Sequence, residues 1–178
     1  MAEQAADVLS FQEGDRVVHP SQGGGRLTQI QRLEVAGKER RYYCIDLVSG
    51  EGELMLPVGQ AEEVGLRPAL DDIAVLHAVL QETPEELSSN YRSREAHVSK
   101  MIGSGEIELL VQAVRDLSWH AHLKNLTNTD ARLKSEAQKL IASELALCLG
   151  VDFDEAQNRL SELVSKAINA HAEDEPVN

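Results

Sequence analysis

The chain has 178 residues and a formal net charge of −13, room for one domain or two small ones and too acidic to be held on nucleic acid by charge alone. No apolar run reaches the roughly 18 residues of a membrane span, and the opening MAEQAADVLS lacks the basic and apolar regions of a secretory leader. Hydrophobic residues make up 42% but aromatics only 3%, so the core must come from Leu, Val, Ile and Ala.

Residues 1–10 carry nothing that would anchor them and read as a disordered lead. A β module comes next, over 11–70. Short β-type runs occur at Val17–Val18, Leu27–Ile30, Leu33–Val35, Arg41–Val48 and Leu54–Pro57. The breaks between them are His19–Pro20–Ser21–Gln22 with Gly23–Gly25, then Ala36–Gly37–Lys38 and Ser49–Gly52. Pro fixes φ and Gly admits positive φ, so each break reads as a sharp turn, with Gly23–Gly25 in the first. Such close spacing predicts a small barrel or strongly bent antiparallel sheet. Its apolar content is low for a free-standing unit, so it should pack on the second half of the chain.

From Asp71 the hydrophobic period changes from two to 3.6, and a helical domain over 71–170 is expected. Ile73, Leu76, Val79 and Leu80 share one helix face. Thr83–Pro84–Glu85–Glu86 reads as a second start, with Thr as N-cap and Pro at the first position, for a helix that runs, continuous or broken, through Asn90–Tyr91–Arg92 to Ile102. Gly103–Gly105 ends it. Ile107, Leu110, Val111, Val114 and Leu117 form the next face. Thr127 or Thr129 caps a long helix ended by Gly150, and Asp152 with Glu155 starts the last. About five helices with short connections make a bundle, so the fold class is α+β. His171–Asn178 is polar and acidic and reads as a disordered tail.

Charge is unevenly placed. Residues 84–140 hold eight acids and eight bases, whereas 141–178 hold eight acids and two bases. The negative charge gathers at the C-terminal end, which leaves room for a basic face between Arg92 and Lys139.

The residues give no positive sign of catalysis. Gly23–Gly25 lacks the Lys-Ser/Thr of a phosphate loop and precedes β-type residues. No G-x-S-x-G elbow occurs. His120 and His122, two apart on a helix, point to different faces and read as a solvated pair, not as metal ligands. Cys44 and Cys148, far apart in apolar surroundings, read as buried free thiols of a cytoplasmic protein. No cofactor, metal, membrane or small-molecule substrate is implied. Trp119 lies off the face set by Ile107 and Val114: the helix ends before it, or it packs on a second helix, or it is exposed. Packing between helices is the reading favoured.

The opening FQEGDRVVHPSQGGGRL, the Tyr42–Tyr43 strand and LMLPVGQAEEVGLRPAL together resemble the polymerase-interacting module of the CarD/CdnL bacterial transcription regulators, shared with transcription-repair coupling factors. The likeness extends more weakly into the helical part. It implies a small SH3-like or Tudor-like barrel that docks on the RNA polymerase β subunit, with Arg32, Leu33, Met55 and Pro57 on the contact strands. It further implies that the helical domain contacts promoter DNA near the upstream edge of the bubble, weakly when the protein is free. Asn90–Tyr91–Arg92–Ser93–Arg94 falls where the family has an Asn-Trp wedge followed by basic residues, so Tyr91, Arg92 and Arg94 become the DNA contacts. The resemblance thus implies a regulator that stabilises the open promoter complex. The alternative is an adaptor that uses the same module and does not touch DNA, with Tyr91 as a half-buried helix residue.

Overall fold

A computed structural model describes residues 10–174. The disordered lead and tail expected from sequence lie, for residues 1–9 and 175–178, outside the described residues. Five strands come first: β1 (Arg16–His19), β2 (Gly23–Val35), β3 (Lys38–Leu47), β4 (Glu53–Pro57) and β5 (Arg67–Pro68). They form an antiparallel sheet in the order β4-β3-β2-β1-β5. Five helices come after them: α1 (Ala74–Gln81), α2 (Tyr91–Gly103), α3 (Ile107–Leu123), α4 (Asn128–Leu149) and α5 (Phe153–Asp174). The architecture is the expected α+β one, a β module followed by a helical part.

The inner sheet face carries its own core. Phe11, Val17, Leu27, Tyr43, Ile45, Leu47, Leu56, Ala61 and Leu66 are buried together, and a large apolar side chain buried in this way contributes about 1.5–3 kcal/mol. Phe11 meets Tyr43 edge-on at 6.0 Å and donates its N–H to the phenol oxygen at 3.2 Å. The runs at 27–30 and 33–35 prove to be one strand, β2, irregular between Leu27 and Gln29. The β2–β3 loop is Ala36–Gly37, both with positive φ, the hand of two-residue turn that suits strand twist.

The glycine run is not a turn. Gly23, Gly24 and Gly25 lie in β2 opposite His19, Val18 and Val17, and the chain reverses over Pro20–Gln22. Gly23 and Gly24 stand there because α4 presses on the strand, and Gly25 because Ile45 and Asp46 of β3 do. The Gly24 N–H donates to Ser143 Oγ at 2.7 Å, and a Cβ on Gly24 would stand 2.8 Å from Leu147 Cδ1 and 2.9 Å from the Ser143 carbonyl oxygen.

In the bundle, Leu76, Val79 and Leu80 of α1 are buried as the period predicts. Helix α3 sits centrally, against α1, α2, α4 and α5. The helix expected from Thr83 does not form, and residues 83–90 are irregular. Tertiary partners take that segment's backbone groups: the Glu85 N–H donates to Asp116 Oδ1 at 3.0 Å, and the Ser88 carbonyl accepts from Arg94 Nη1 at 2.7 Å. Asn90 then caps α2, its side chain accepting from the Arg92 and Ser93 N–H groups. Thr127 caps α4 in a reciprocal capping box with Asp130, and Gly150 ends it at φ 66°. Helix α5 runs on to Asp174, so 171–174 is helical where a disordered tail was expected. Buried Ile168 and half-buried Ala172 pack on the bundle there, and His171 Nε2 lies 3.1 Å from the Leu80 carbonyl oxygen.

Sheet and bundle share a seam. Val18, Ala69 and Leu147 are buried together with Val48 against them. Arg16 donates to the Leu147 carbonyl at 3.0 Å and to Asp71 at 2.9 Å. Arg67 bridges to Glu144 of α4. The low apolar content of the module is thus met by contact with α4.

Candidate functional site

Alternation along paired strands sorts the sheet residues into two faces. Gln31 faces Tyr42, which faces Pro57; Leu33 faces Arg40; Cys44 faces Met55. Leu33, Val35, Tyr42, Met55 and Pro57 therefore share the outer face, opposite the core. Leu33, Val35 and Met55 are exposed there, Met55 by 42%. Cys44 lies fully buried in the same face, its thiol reaching Gln31 Oε1 at 3.8 Å, and burial pushes that thiol's pKa up. Among the described residues strand β4 pairs only with β3, and its other edge is open there for strand addition. Next to it an open cleft of about 550 Å³ is lined by Arg40, Arg41, Pro57, Val58, Gly59 and Gln60.

Three of the four expected polymerase contacts, Leu33, Met55 and Pro57, are thus brought onto one face. Arg32 is not: it lies on the other face with Arg41 and Glu39, paired to Glu39 at 3.3 Å. Arg40, which shares the outer face with Leu33, and Arg41 beside Pro57 went unnoticed in the sequence. The register that places them was the missing signal.

The second site is one end of the bundle. Tyr91 opens α2, directly after its cap, and is 47% exposed. The Arg92 guanidinium lies 5.4 Å from the Tyr91 ring centroid, within cation–π range. The start of α4 stands alongside, since Thr127 Oγ1 reaches Glu95 of α2 at 3.5 Å. This brings the end of α3, with exposed Leu123 and Lys124, to the same end of the molecule. Neither was singled out from sequence.

Arg94 does not belong to this surface. It is 4% exposed and forms a two-point pair with Asp130, from Nε to Oδ1 at 3.1 Å and Nη2 to Oδ2 at 2.7 Å. A guanidinium so occupied is not available to a phosphate, and the expectation of Arg94 as a DNA contact is corrected accordingly. Burial alone would raise the Asp130 carboxyl, but hydrogen bonds from Arg94 and Thr127 together outweigh it and hold it below the ordinary value. The same pair raises Arg94.

The two histidines also separate. His120 is buried and its pKa lowered, by desolvation first and by the Arg94 charge second. His122 is exposed, and its ring stacks on Trp119 at 5.3 Å. The expected solvated pair is therefore half right. Trp119 itself is buried within the bundle core, a packing residue. Among the described residues no group of three or more His, Cys, Asp and Glu is placed to hold a metal ion, and no helix is long and apolar enough to cross a membrane.

Comparison with known proteins divides the chain at the same place as the fold. Residues 11–70 match the family model described as the CarD-like/TRCF RID domain, and residues 75–161 match the CarD C-terminal domain. The chain is 26% identical over 143 residues to the candidate transcription factor YdeB of Bacillus subtilis (strain 168), an alignment covering 79% of this chain and 94% of that protein.

Proposed function

This chain belongs to the CarD-like family of transcription regulators, and from that premise we propose that it docks on the RNA polymerase β subunit and stabilises the open promoter complex. Docking uses the outer face of the sheet around Leu33, Met55 and Pro57 together with the open edge of β4. The helical part then meets promoter DNA at the upstream edge of the bubble through Tyr91 and Arg92. Binding the open DNA better than the closed shifts the equilibrium between them, as any differential binder must.

The observation that carries the reading is Tyr91: a large aromatic at a capped helix start, nearly half exposed, with a guanidinium beside it. A flat ring so placed can wedge against a partly unstacked base step while a neighbouring cation meets phosphate. The net charge of −13 supports weak binding to free duplex. Tethering on polymerase raises the effective concentration, so that weak contacts count.

The test is decay of the open promoter complex with the full chain present. Tyr91→Ala should shorten its lifetime while capture of polymerase is unchanged; Tyr91→Trp should lengthen it. Met55→Glu should weaken polymerase capture in a protein that remains folded. Withdrawal of Arg94 from the surface favours the second reading, an adaptor without DNA contact. That reading takes over if both Tyr91 variants behave like the parent.

A further inference from the structure

Helix α4 carries two buried carboxylates, and each holds an arginine from a different part of the molecule. Towards its C-terminal end, Glu144 is 1% exposed and receives both arms of Arg67, at 2.7 and 2.8 Å, together with the Leu70 N–H at 3.0 Å. Arg67 lies in β5, the last strand of the sheet. In the first turn of α4, Asp130 receives both arms of Arg94, whose remaining Nη1 holds the Ser88 carbonyl. Tyr91 stands midway between Ser88 and Arg94, so the second pair clamps the backbone on either side of it.

The two carboxylates are fourteen residues apart on one helix. That is about 21 Å along the axis and about 40° around it, nearly the same face. A two-point arginine–carboxylate pair fixes direction as well as distance. Stability does not account for such pairs, because well-packed apolar residues usually serve as well or better in their place. The sheet end has further fastening within one turn of Glu144: Ser143 holds the Gly24 N–H and the Leu147 carbonyl holds Arg16.

We infer that α4 is a strut that sets the distance and direction between the sheet and Tyr91. Glu144 and Arg67 are positioning residues at one end, Asp130 and Arg94 at the other. The functional consequence rests on the promoter reading above; the geometry does not. A sheet fixed on polymerase then delivers Tyr91 to one place, and a loosened joint spreads it over many.

Residual dipolar couplings of backbone amides in the weakly aligned full chain test the strut directly. In the parent, residues 16–68 and 91–168 should fit one common alignment tensor. Glu144→Gln should lose it, each half fitting its own tensor with its internal couplings intact. Arg67→Lys keeps the charge but not the two-point grip, so the same loss is expected; being at the less buried partner, it carries the test if Glu144→Gln does not fold. Both variants should capture polymerase normally and shorten the open-complex lifetime. A single tensor retained in the folded variants, with only the melting temperature lowered, overturns the strut. Two tensors with an unchanged lifetime, where Tyr91→Ala does shorten it, overturn its role in placing the tyrosine. If Tyr91→Ala also leaves the lifetime unchanged, the promoter reading fails and the tensors alone decide the strut.

Discussion

The hairpin and the bundle use the same residue in opposite ways. Arg32, Arg40 and Arg41 stand on the β2–β3 hairpin in solvent, and the ion pair of Arg32 is exposed on both sides. Arg94 and Arg115 lie inside the bundle, each against a buried aspartate: Arg94 on Asp130, and Arg115 on Asp116 at 2.8 Å. The exposed pair is worth little, because water and salt screen it. The buried pairs are costly to break, because whichever partner remains is a charge without solvent. An arginine's role is therefore set by what the fold places against it: for Arg94 a carboxylate from 36 residues away, for Arg115 that of the next residue.

The largest effect that would break this contrast is in Arg94→Ala. It strands Asp130 and should cost about 3–5 kcal/mol, read by urea denaturation, whereas Arg32→Ala and Arg40→Ala should each stay within about 0.5 kcal/mol. An Arg94→Ala protein as stable as those two would erase the distinction. Gly24→Ala comes next, testing the seam where the two regions meet. Its methyl has no room against Leu147 and Ser143, and a loss of about 1–3 kcal/mol in the same assay is expected.

Acid titration gives a finer separation. The folded pKa of Asp130 lies below the ordinary carboxylate value of about 3.8. Its contribution is thus complete above that value and is lost as pH falls through the window down to the folded value. Asp116 runs the other way: burial raises its pKa, the hydrogen bonds from Arg115 and Glu85 opposing without cancelling, so its protonation on acidification favours the folded state. Denaturation midpoints against pH should therefore fall less steeply in Asp130→Asn and more steeply in Asp116→Asn than in the parent. The smallest expected change is in Tyr91→Ala, within about 0.5 kcal/mol of the parent. A larger loss would mean that the exposed ring packs on the bundle.

Local rules carried much of this architecture. The change of period at Asp71, the Gly150 stop and the Asp152–Glu155 start are all written within a few neighbouring residues, and each stands where those residues place it; the α4 cap falls on Thr127, one of the two threonines offered. What failed was non-local. Thr83–Pro84–Glu85–Glu86 has the form of a helix start, but Asp116 and Arg94 take the backbone groups of that segment. Gly23–Gly25 has the form of a turn, but the constraint on Gly23 and Gly24 is helix α4, more than a hundred residues later, and that on Gly25 is Ile45 and Asp46 of β3. Arg94 and Arg92 look alike in sequence two positions apart; one turns inward because Asp130 is there. On the sheet, alternation alone turns Arg32 away from Leu33, but only the register puts Met55 and Pro57 on the Leu33 face.

The seam also sets a timetable for synthesis. The inner core of the sheet closes with residues no later than Leu66, so it can form early. The other side of β1 and β2 is covered by Ser143 and Leu147. At ribosomal rates of roughly 5–20 residues per second, the interval from residue 70 to residue 147 lasts about 4–15 s. Throughout it Val18, Ala69 and the Gly24 N–H have no cover from α4, and transiently exposed apolar surface invites wrong association. The glycines that admit α4 so closely therefore leave the nascent chain with the Gly24 N–H unpartnered until Ser143 is made. Ribosome-bound chains ending before Ser143 should be cut within residues 16–26 by a protease that spares the full-length protein, and equal resistance in both would show that the module needs no later cover.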